Sequence, residues 1–262
     1  MRGGAVPLLW DTTAAPSAFE PEDWLSHREA VTGRRRPRLP ARAVQTLDGT
    51  VWDAAVRAAP DPPDDFTGAG HPFVVLERAD GPVVVGLSAK GSYAAGGLDE
   101  LIALGVRSCV VIGGAGALVE ELAPGDLVVA DRALRDDGVS HHYVAPGRWI
   151  DGNAPLTAAL ARACRGAHVG PVWTTSAHFR QTLPRLEAFR SDGCLAVDNE
   201  AAGAFAVGRA RGVAVARLLV VGDSLAAGRF RAPAAAPPVP GAELLAAALV
   251  ALVRADPADG PR

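Results

Sequence analysis

The stretch that most constrains the fold lies between residues 109 and 126 and reads CVVIGGAGALVEELAPGD. An apolar run rich in β-branched residues leads into three closely spaced glycines, Gly113, Gly114 and Gly116. Because glycine has no Cβ, backbone N–H groups at such positions can approach a ligand closely. We therefore predict a buried strand over residues 107–112 that ends in a glycine-rich turn. This turn is either a loop that binds an anion or a water molecule, or a tight connection without a ligand.

Short apolar runs alternate with helical patterns along most of the chain. Strands are predicted at residues 72–77, 82–87, 107–112, 127–130, 168–175, 195–197 and 217–221, and helices at residues 93–104, 154–165, 181–190, 200–212 and 242–254. Near-continuous apolar strands between helices are typical of an α/β fold whose sheet is covered on both faces. Ligands in such folds bind beyond the carboxyl ends of the strands.

The N-terminal part of the chain has a different character. Residues 1–70 are rich in Pro, Arg and Asp and show weak periodicity, so we predict an irregular segment packed on the main domain. The best helical pattern within it covers residues 49–58. Residues 71–262 are expected to form the main domain, in which a proline-rich linker (residues 233–240) precedes the last helix.

Bulk properties exclude several classes of function. A formal net charge of −3 argues against a nucleic-acid partner, which normally requires a clustered basic surface. The longest apolar stretch, Leu244 to Val253, is too short for the about 20 residues that span a bilayer, and the N-terminus lacks the apolar core of a signal peptide. The three cysteines show neither a disulfide framework nor metal-ligand spacing. We expect a cytoplasmic protein that acts on a small molecule, without a membrane, nucleic-acid or metal partner.

Acidic and amide side chains follow one of the predicted strands. Asp198, Asn199 and Glu200 stand where a strand ends and a helix begins. Capping and the helix dipole account for all three without any function. A carboxylate at a strand end can also hold a diol through two hydrogen bonds, and the residues alone leave both interpretations open.

Two other strand ends carry candidate residues. Asp223 ends the apolar strand LLVVGD, where it is either a turn cap or a carboxyl group with a raised pKa that acts as a general acid. His178 and Phe179 follow the strand at residues 168–175. Either both side chains line a planar base, or Phe179 lies in the core and His178 on the surface.

Taken in order along the chain, several segments resemble the purine nucleoside phosphorylase/uridine phosphorylase superfamily, which also contains the methylthioadenosine-type nucleosidases. These segments are residues 97–105, 113–116, 125–129, 135–143, 168–170, 173–175, 197–202 and 221–223. The resemblance covers residues 82 to about 226, a little over half of the chain. It depends on many weak motifs in the right order rather than on one decisive motif.

The resemblance implies a three-layer αβα fold around a mixed, partly closed central sheet, assembled as a homo-oligomer. Family members cleave the N-glycosidic bond of a nucleoside with phosphate or water, so phosphate is the one small co-substrate implied and no cofactor is expected. Glu200 matches the family glutamate that holds the ribose hydroxyls. Asp223 matches the aspartate that protonates the leaving base in purine-handling members. Uridine phosphorylases usually lack that acid, which favours a purine.

The chain departs from the family pattern at the expected phosphate site. Phosphorolytic members carry an arginine before the glycine turn and a Ser or Thr within it, whereas this chain has Val111 and Gly114 there. A phosphate dianion thereby loses a charge-assisted, bidentate partner. We therefore expect water rather than phosphate as the acceptor, unless arginines from residues 1–70 or a neighbouring subunit compensate.

Further departures lie where the family binds the base and the sugar. His178, with Phe179 beside it, stands at the aromatic base-stacking position. Asn199 replaces a methionine beneath the ribose, Asp198 replaces a glutamate, and Ser176 replaces a common aspartate. The leading hypothesis is cleavage of a purine-type nucleoside or a related N-glycoside. The alternatives are a family member repurposed for a biosynthetic step on a non-nucleoside molecule, and a non-catalytic ligand-binding protein.

Overall fold

One mixed sheet of nine strands organises the described part of the chain. The structure is a computed structural model that describes residues 15, 17–67, 71–234 and 239–255. The N-terminal stretch considered for a signal peptide and part of the proline-rich linker lie outside the described residues. The strands are β1 (Arg42–Thr46), β2 (Phe73–Leu76), β3 (Val83–Leu87), β4 (Ser108–Ala117), β5 (Leu127–Asp136), β6 (Trp149–Asp151), β7 (His168–Thr175), β8 (Ala196–Asp198) and β9 (Ala214–Ser224).

Helices connect most of these strands. They are α1 (Pro21–Thr32), α2 (Gly49–Ala58), α3 (Ser92–Ala103), α4 (Ser140–Tyr143), α5 (Ala154–Ala163), α6 (Leu183–Ser191), α7 (Ala201–Arg211) and α8 (Gly241–Arg254), with a short 3₁₀ helix at His178–Arg180. No helix within the described ranges is long and apolar enough to cross a membrane.

The sheet is partly closed on itself. Its order is β2-β3-β1-β4-β8-β7-β5-β6, and β9 pairs with both β4 and β5. The strands β4, β8, β7, β5 and β9 therefore form a ring. Pairing within the ring is parallel for β4 with β9 and antiparallel for β4 with β8. The prediction of a mixed, partly closed sheet is confirmed.

Two apolar cores cover the two faces of the sheet. One contains Leu98 of α3 and Phe205 of α7, and the other contains Val51 of α2, Leu160 of α5 and Leu249 of α8. A sheet between two helical layers is the predicted three-layer αβα arrangement, and it buries near-continuous apolar strands on both faces.

Local sequence signals explain where several elements begin and end. The Asp48 carboxylate accepts hydrogen bonds from the backbone N–H groups of Thr50 (2.8 Å) and Val51 (3.2 Å), which caps the start of α2. Gly212 ends α7 in the left-handed conformation with φ 67°. In α8, Leu245, Leu249 and Leu252 repeat at helical spacing and are buried.

The main difference from the sequence prediction lies before residue 70. Strand β1 (RAVQT) is part of the central sheet, between β3 and β4, and pairs in parallel with both. The interpretation of residues 1–70 as irregular therefore misses one strand, and a boundary at residue 70 would separate β1 from its neighbours. The short strand includes Gln45, whose buried amide donates to the backbone oxygen of Ala94 at 2.8 Å. A polar residue at this buried position hides the apolar pattern.

Candidate active site

A cavity of about 230 Å³ lies where the ends of β4, β8 and β9 come together. Gly116 of β4 pairs with Val197 of β8 in antiparallel orientation, so these strand ends overlap rather than share one edge. The lining residues are Leu47, Lys90, Gly114, Ala115, Gly116, His178, Gln181, Val197, Asp198, Asn199, Glu200, Gly222 and Asp223. The cavity thus brings together most of the predicted site residues from distant parts of the chain.

The glycine segment is a strand and not the predicted turn. β4 continues to Ala117 and pairs with β9 along its whole length, with one irregularity between Ala115 and Gly116. The prediction of a glycine-rich turn is wrong because β9 and β8 provide pairing partners beyond residue 112, so the chain stays extended.

The glycines of β4 make room for charged side chains. A Cβ at Gly113 would lie 2.8 Å from Nη2 of Arg217, and a Cβ at Gly116 would lie 2.6 Å from Oδ1 of Asp223. Gly113 is buried and does not line the cavity, which differs from the predicted anion or water loop. Gly114 does line the cavity, and a Cβ there would approach only the backbone oxygen of Val220, at 3.9 Å.

Asp223 presents a carboxyl group to the cavity without a hydrogen-bond partner among the described residues. It lies near the end of β9 and is partly buried. Burial raises the pKa of Asp223 above its ordinary value, and the nearby His178 opposes this rise. A raised pKa increases the protonated fraction of the carboxyl group at a given pH, which suits a proton donor.

Glu200 and Asp198 share one fully buried arginine. Nη2 of Arg217 lies 2.9 Å from Oε2 of Glu200, and its Nε lies 3.2 Å from Oδ2 of Asp198. The other oxygen of Glu200, Oε1, accepts the backbone N–H of Gly91 at 2.8 Å. Glu200 therefore lines the cavity while both oxygens of its carboxylate have a hydrogen-bond partner in the protein.

The carboxylate of Asp198 points into the protein. Its Oδ1 accepts the Thr174 hydroxyl at 2.7 Å, and its Oδ2 accepts the backbone N–H of Ala201 at 2.9 Å at the start of α7. Burial raises the pKa of Asp198 to about 6, against the opposing charge of Arg217. The capping interpretation thus accounts for Asp198, whose side chain is fully enclosed.

Asn199 lies between these two acids and lines the cavity. In the amide orientation that satisfies its surroundings, its nitrogen donates to the backbone oxygens of Thr175 and Asp198, both at 3.1 Å. The amide is therefore tied to the backbone where β7 and β8 end.

Of the remaining predicted residues, one lines the cavity and two do not. His178 lines the cavity, whereas Phe179 does not line it and is 95% exposed. The two rings meet edge to face with centroids 4.9 Å apart. Ser176 is also outside the cavity wall, and its hydroxyl accepts the backbone N–H of Gly138 at 3.1 Å. The ring of Phe179 therefore lies outside the cavity wall, on the 3₁₀ helix at His178–Arg180.

Two charged residues of the site were not predicted from the sequence. Lys90, the one lysine of the chain, lines the cavity beside the β4 glycines and has no ion pair within the described residues. Arg217 interrupts the apolar run of β9 and is fully buried. A single charge inside a buried strand is the signal that identifies Arg217, since buried charges require partners.

A larger depression of about 810 Å³ lies elsewhere, between α1, α3 and α7. It contains Glu20, Asp99, Tyr143 and Arg211 but none of the predicted site residues. The larger depression is therefore not where the predicted site residues meet, and most of them meet at the strand ends of the smaller cavity.

A mixed, partly closed sheet with an acidic cavity at its strand ends defines a nucleoside phosphorylase-like α/β protein. The chain belongs to the phosphorylase superfamily, whose family model matches residues 56–252. Among solved structures, uridine phosphorylase from Vibrio fischeri ES114 superimposes with a TM-score of 0.65, covering 83% of this chain and 92% of that one at 16% identity. This likeness shows the shared fold.

Curated relatives match a shorter region. Guanosine phosphorylase from Halorubrum lacusprofundi is 28% identical over 137 residues, which cover 50% of this chain and 56% of that protein. The DeoD-type purine nucleoside phosphorylase from Dichelobacter nodosus is 27% identical over 126 residues, covering 46% of this chain and 53% of that protein. The chain thus spans about half the length of the curated relatives that it matches.

Proposed function

We propose that this protein cleaves the N-glycosidic bond of a purine-type nucleoside or a related N-glycoside. The observation that carries the proposal is Asp223, a partly buried carboxyl group that faces the cavity without a hydrogen-bond partner in the described chain. Its raised pKa suits protonation of a leaving base. Membership in the phosphorylase superfamily and the similarity to guanosine and purine nucleoside phosphorylases support the same reaction class.

The proposed reaction uses the two acids for different purposes. The bond between the sugar carbon and the base nitrogen breaks, its electron pair moves to the base, and Asp223 supplies the proton that neutralises the base. Positive charge develops on the sugar, close to the Glu200 carboxylate, which stabilises it in the transition state. Glu200 also accepts hydrogen bonds from the sugar hydroxyls. Capture of the sugar by the acceptor completes the reaction, and the proton that the acceptor releases restores the neutral Asp223.

Water is the favoured acceptor. Val111 is buried in the core and Gly114 has no side chain, so neither replaces the arginine and hydroxyl groups of phosphorolytic family members. Lys90 is a single cation at the cavity wall, and a lysine lacks the bidentate geometry of a guanidinium. Phosphate would therefore bind weakly in this chain.

The purified protein tests this proposal with inosine, adenosine and methylthioadenosine, each with and without phosphate. We expect release of the free base in both conditions, with the free sugar as the main second product. Sugar 1-phosphate as the main product would overturn the preference for water. If no base is released from any of the three under either condition, glycosidic cleavage is not the function.

One observation favours a second candidate, a biosynthetic step on a non-nucleoside molecule. Phe179 lies outside the cavity wall, so among the described residues the wall contains His178 but no Phe, Tyr or Trp to stack on a base. Binding measurements with ribose-containing and ribose-free ligands distinguish the two candidates. Tight binding of a nucleoside that depends on its hydroxyls contradicts the second candidate.

A further inference from the structure

The buried arginine of β9 has no part in the chemistry described above, yet it contacts the residue that faces the sugar. Arg217 is completely enclosed, and its guanidinium joins Asp198 and Glu200 at 3.2 Å and 2.9 Å. A guanidinium stays protonated in proteins, so two buried carboxylates share one permanent positive charge. This charge reduces the repulsion that would otherwise turn Glu200 out of its position.

A count of lone pairs shows what this contact leaves free. A carboxylate has about four acceptor sites, two on each oxygen. The backbone N–H of Gly91 occupies one site on Oε1 of Glu200, and Arg217 occupies one on Oε2. Each oxygen thus keeps about one site for another donor. Two adjacent hydroxyl groups match two neighbouring acceptors.

We propose that Arg217 is a positioning residue, which holds Glu200 so that both of its oxygens can accept hydrogen bonds from a vicinal diol in the cavity. The proposal rests on the proposed function, because it concerns the sugar half of that site. The diol belongs to the proposed function, and Arg217 is proposed to hold the Glu200 geometry that selects it, which predicts poor binding of 2′-deoxy analogues.

Gly113 is the second part of this arrangement. A Cβ at this position would lie 2.8 Å from Nη2 and 3.0 Å from Nη1 of Arg217, closer than a carbon atom can pack. The parallel register places Val111 of β4 opposite Arg217, so the guanidinium extends along β4 toward Gly113. Gly113 therefore provides the space in which the arginine reaches Glu200, a role that requires no contact with a ligand.

The test measures binding of inosine and 2′-deoxyinosine by calorimetry, in an Asp223→Asn background so that cleavage of either ligand is slowed by about 100-fold or more. In this parent we expect inosine to bind at least about tenfold more tightly, which corresponds to one good hydrogen-bonded contact. Arg217→Met should reduce this affinity ratio to less than about twofold. Arg217→Lys should give an intermediate ratio, since the lysine ammonium keeps the charge but lacks the planar set of donors of a guanidinium.

Gly113→Ala gives an independent measurement that keeps the arginine. We expect Gly113→Ala to lower the affinity ratio as Arg217→Met does. The double variant that carries both substitutions should have the same ratio as Arg217→Met alone, because methionine leaves room for the added methyl group. Arg211→Met is the matched control. It removes another arginine from a buried acid, Asp99, outside the cavity, and should leave the ratio unchanged.

Each outcome decides the proposal. Full discrimination in a folded Arg217→Met or Arg217→Lys variant overturns it, and so does a parent that binds both ligands equally. If Arg217→Met does not fold, the Gly113→Ala and Arg217→Lys ratios decide in its place. The pH dependence of the ratio separates positioning from a general loss of structure. Lys90 and His178 also line this cavity, Asp198 is buried against Arg217, and Asp223 is replaced in this background. Positioning predicts that Arg217→Lys shifts this dependence while Arg211→Met does not.

Intact diol preference without base release by the native protein contradicts the proposed function alone.

Discussion

Two depressions of this protein contain carboxylates that share an arginine, and they differ in what is left unpaired. In the larger one, Arg211 binds Asp99 at 2.7 Å and Glu20 at 2.9 Å. Tyr143 donates to Asp99 as well, at 3.1 Å. In the smaller one, Arg217 binds Asp198 and Glu200, but Asp223 has no such partner among the described residues.

An acidic cavity is therefore not by itself a site, because its acids can be fully paired. The side chain of Arg211 is 32% exposed, so water shares in its pairing, whereas Arg217 is fully enclosed. An ion pair without access to water keeps its partners in one geometry. Asp223, which lacks such a partner among the described residues, remains available for proton transfer. This difference supports the proposal that the chemistry takes place in the smaller cavity, and we propose a structural role for the Arg211 cluster.

The largest difference between the two cavities is expected when one acid is removed from each. Asp223→Asn should lower the rate of base release from inosine by about 100-fold or more, since general acid catalysis contributes about 10²–10⁴-fold. Asp99→Asn, which removes a paired acid, should stay within about twofold of the native rate because it does not touch the substrate. The rates are measured by base release at saturating inosine. Equal losses in both variants would contradict the assignment.

The two arginines give the second largest difference, in stability. Arg217→Met should lower the free energy of unfolding by about 3 kcal/mol, because it leaves two buried carboxylates without their cation. Arg211→Met should cost about 1 kcal/mol, as solvent reaches that pair. Urea unfolding of the native protein and both variants measures these values. Equal costs would mean that enclosure does not distinguish the clusters.

The pH dependence of the reaction sharpens the role of Asp223. The acid must be protonated to act, and burial raises its pKa. Base release should therefore fall as pH rises through this pKa, by about tenfold per pH unit at the limit. Asp99→Asn should keep this decline and Asp223→Asn should lose it. A decline that persists in Asp223→Asn would assign the proton to another group.

The sequence was sufficient for the layers of the fold and for the main acids, but not for the charges that hold them. Strand β7 and helix α2 have the predicted bounds, because continuous apolar runs and a clear Asp48 cap specify them locally. The glycines of β4 were interpreted as a turn, since pairing with β9 from a distant part of the chain is not visible locally. Arg217 was treated as the edge of a strand because its two partners, Asp198 and Glu200, become neighbours only when the ring of strands closes.

A smaller effect concerns the stability that Asp198 contributes. Burial raises its pKa to about 6 in the folded protein, whereas an unfolded aspartate has a pKa of about 3.9. Between these values the folded state holds the proton and the unfolded state does not, so this contribution to stability falls as pH rises from about 4 to about 6. Asp198→Asn should remove that part of the slope. Denaturant unfolding at several pH values measures it, and an unchanged slope would contradict the assignment to Asp198.

The smallest expected effect concerns Lys90 of the smaller cavity. The larger depression has no equivalent cation among the described residues, because its Arg211 is already paired with Asp99 and Glu20. A lone, exposed lysine contributes about 1 kcal/mol to binding an anion, so Lys90→Met should raise the phosphate concentration for half-maximal effect on base release about fivefold. This holds whether phosphate acts as acceptor or as competitor. Arg180→Met removes a charge outside the cavity wall and should leave that concentration unchanged. If Lys90→Met and the native protein need the same phosphate concentration for the half-maximal effect, Lys90 does not contact bound phosphate.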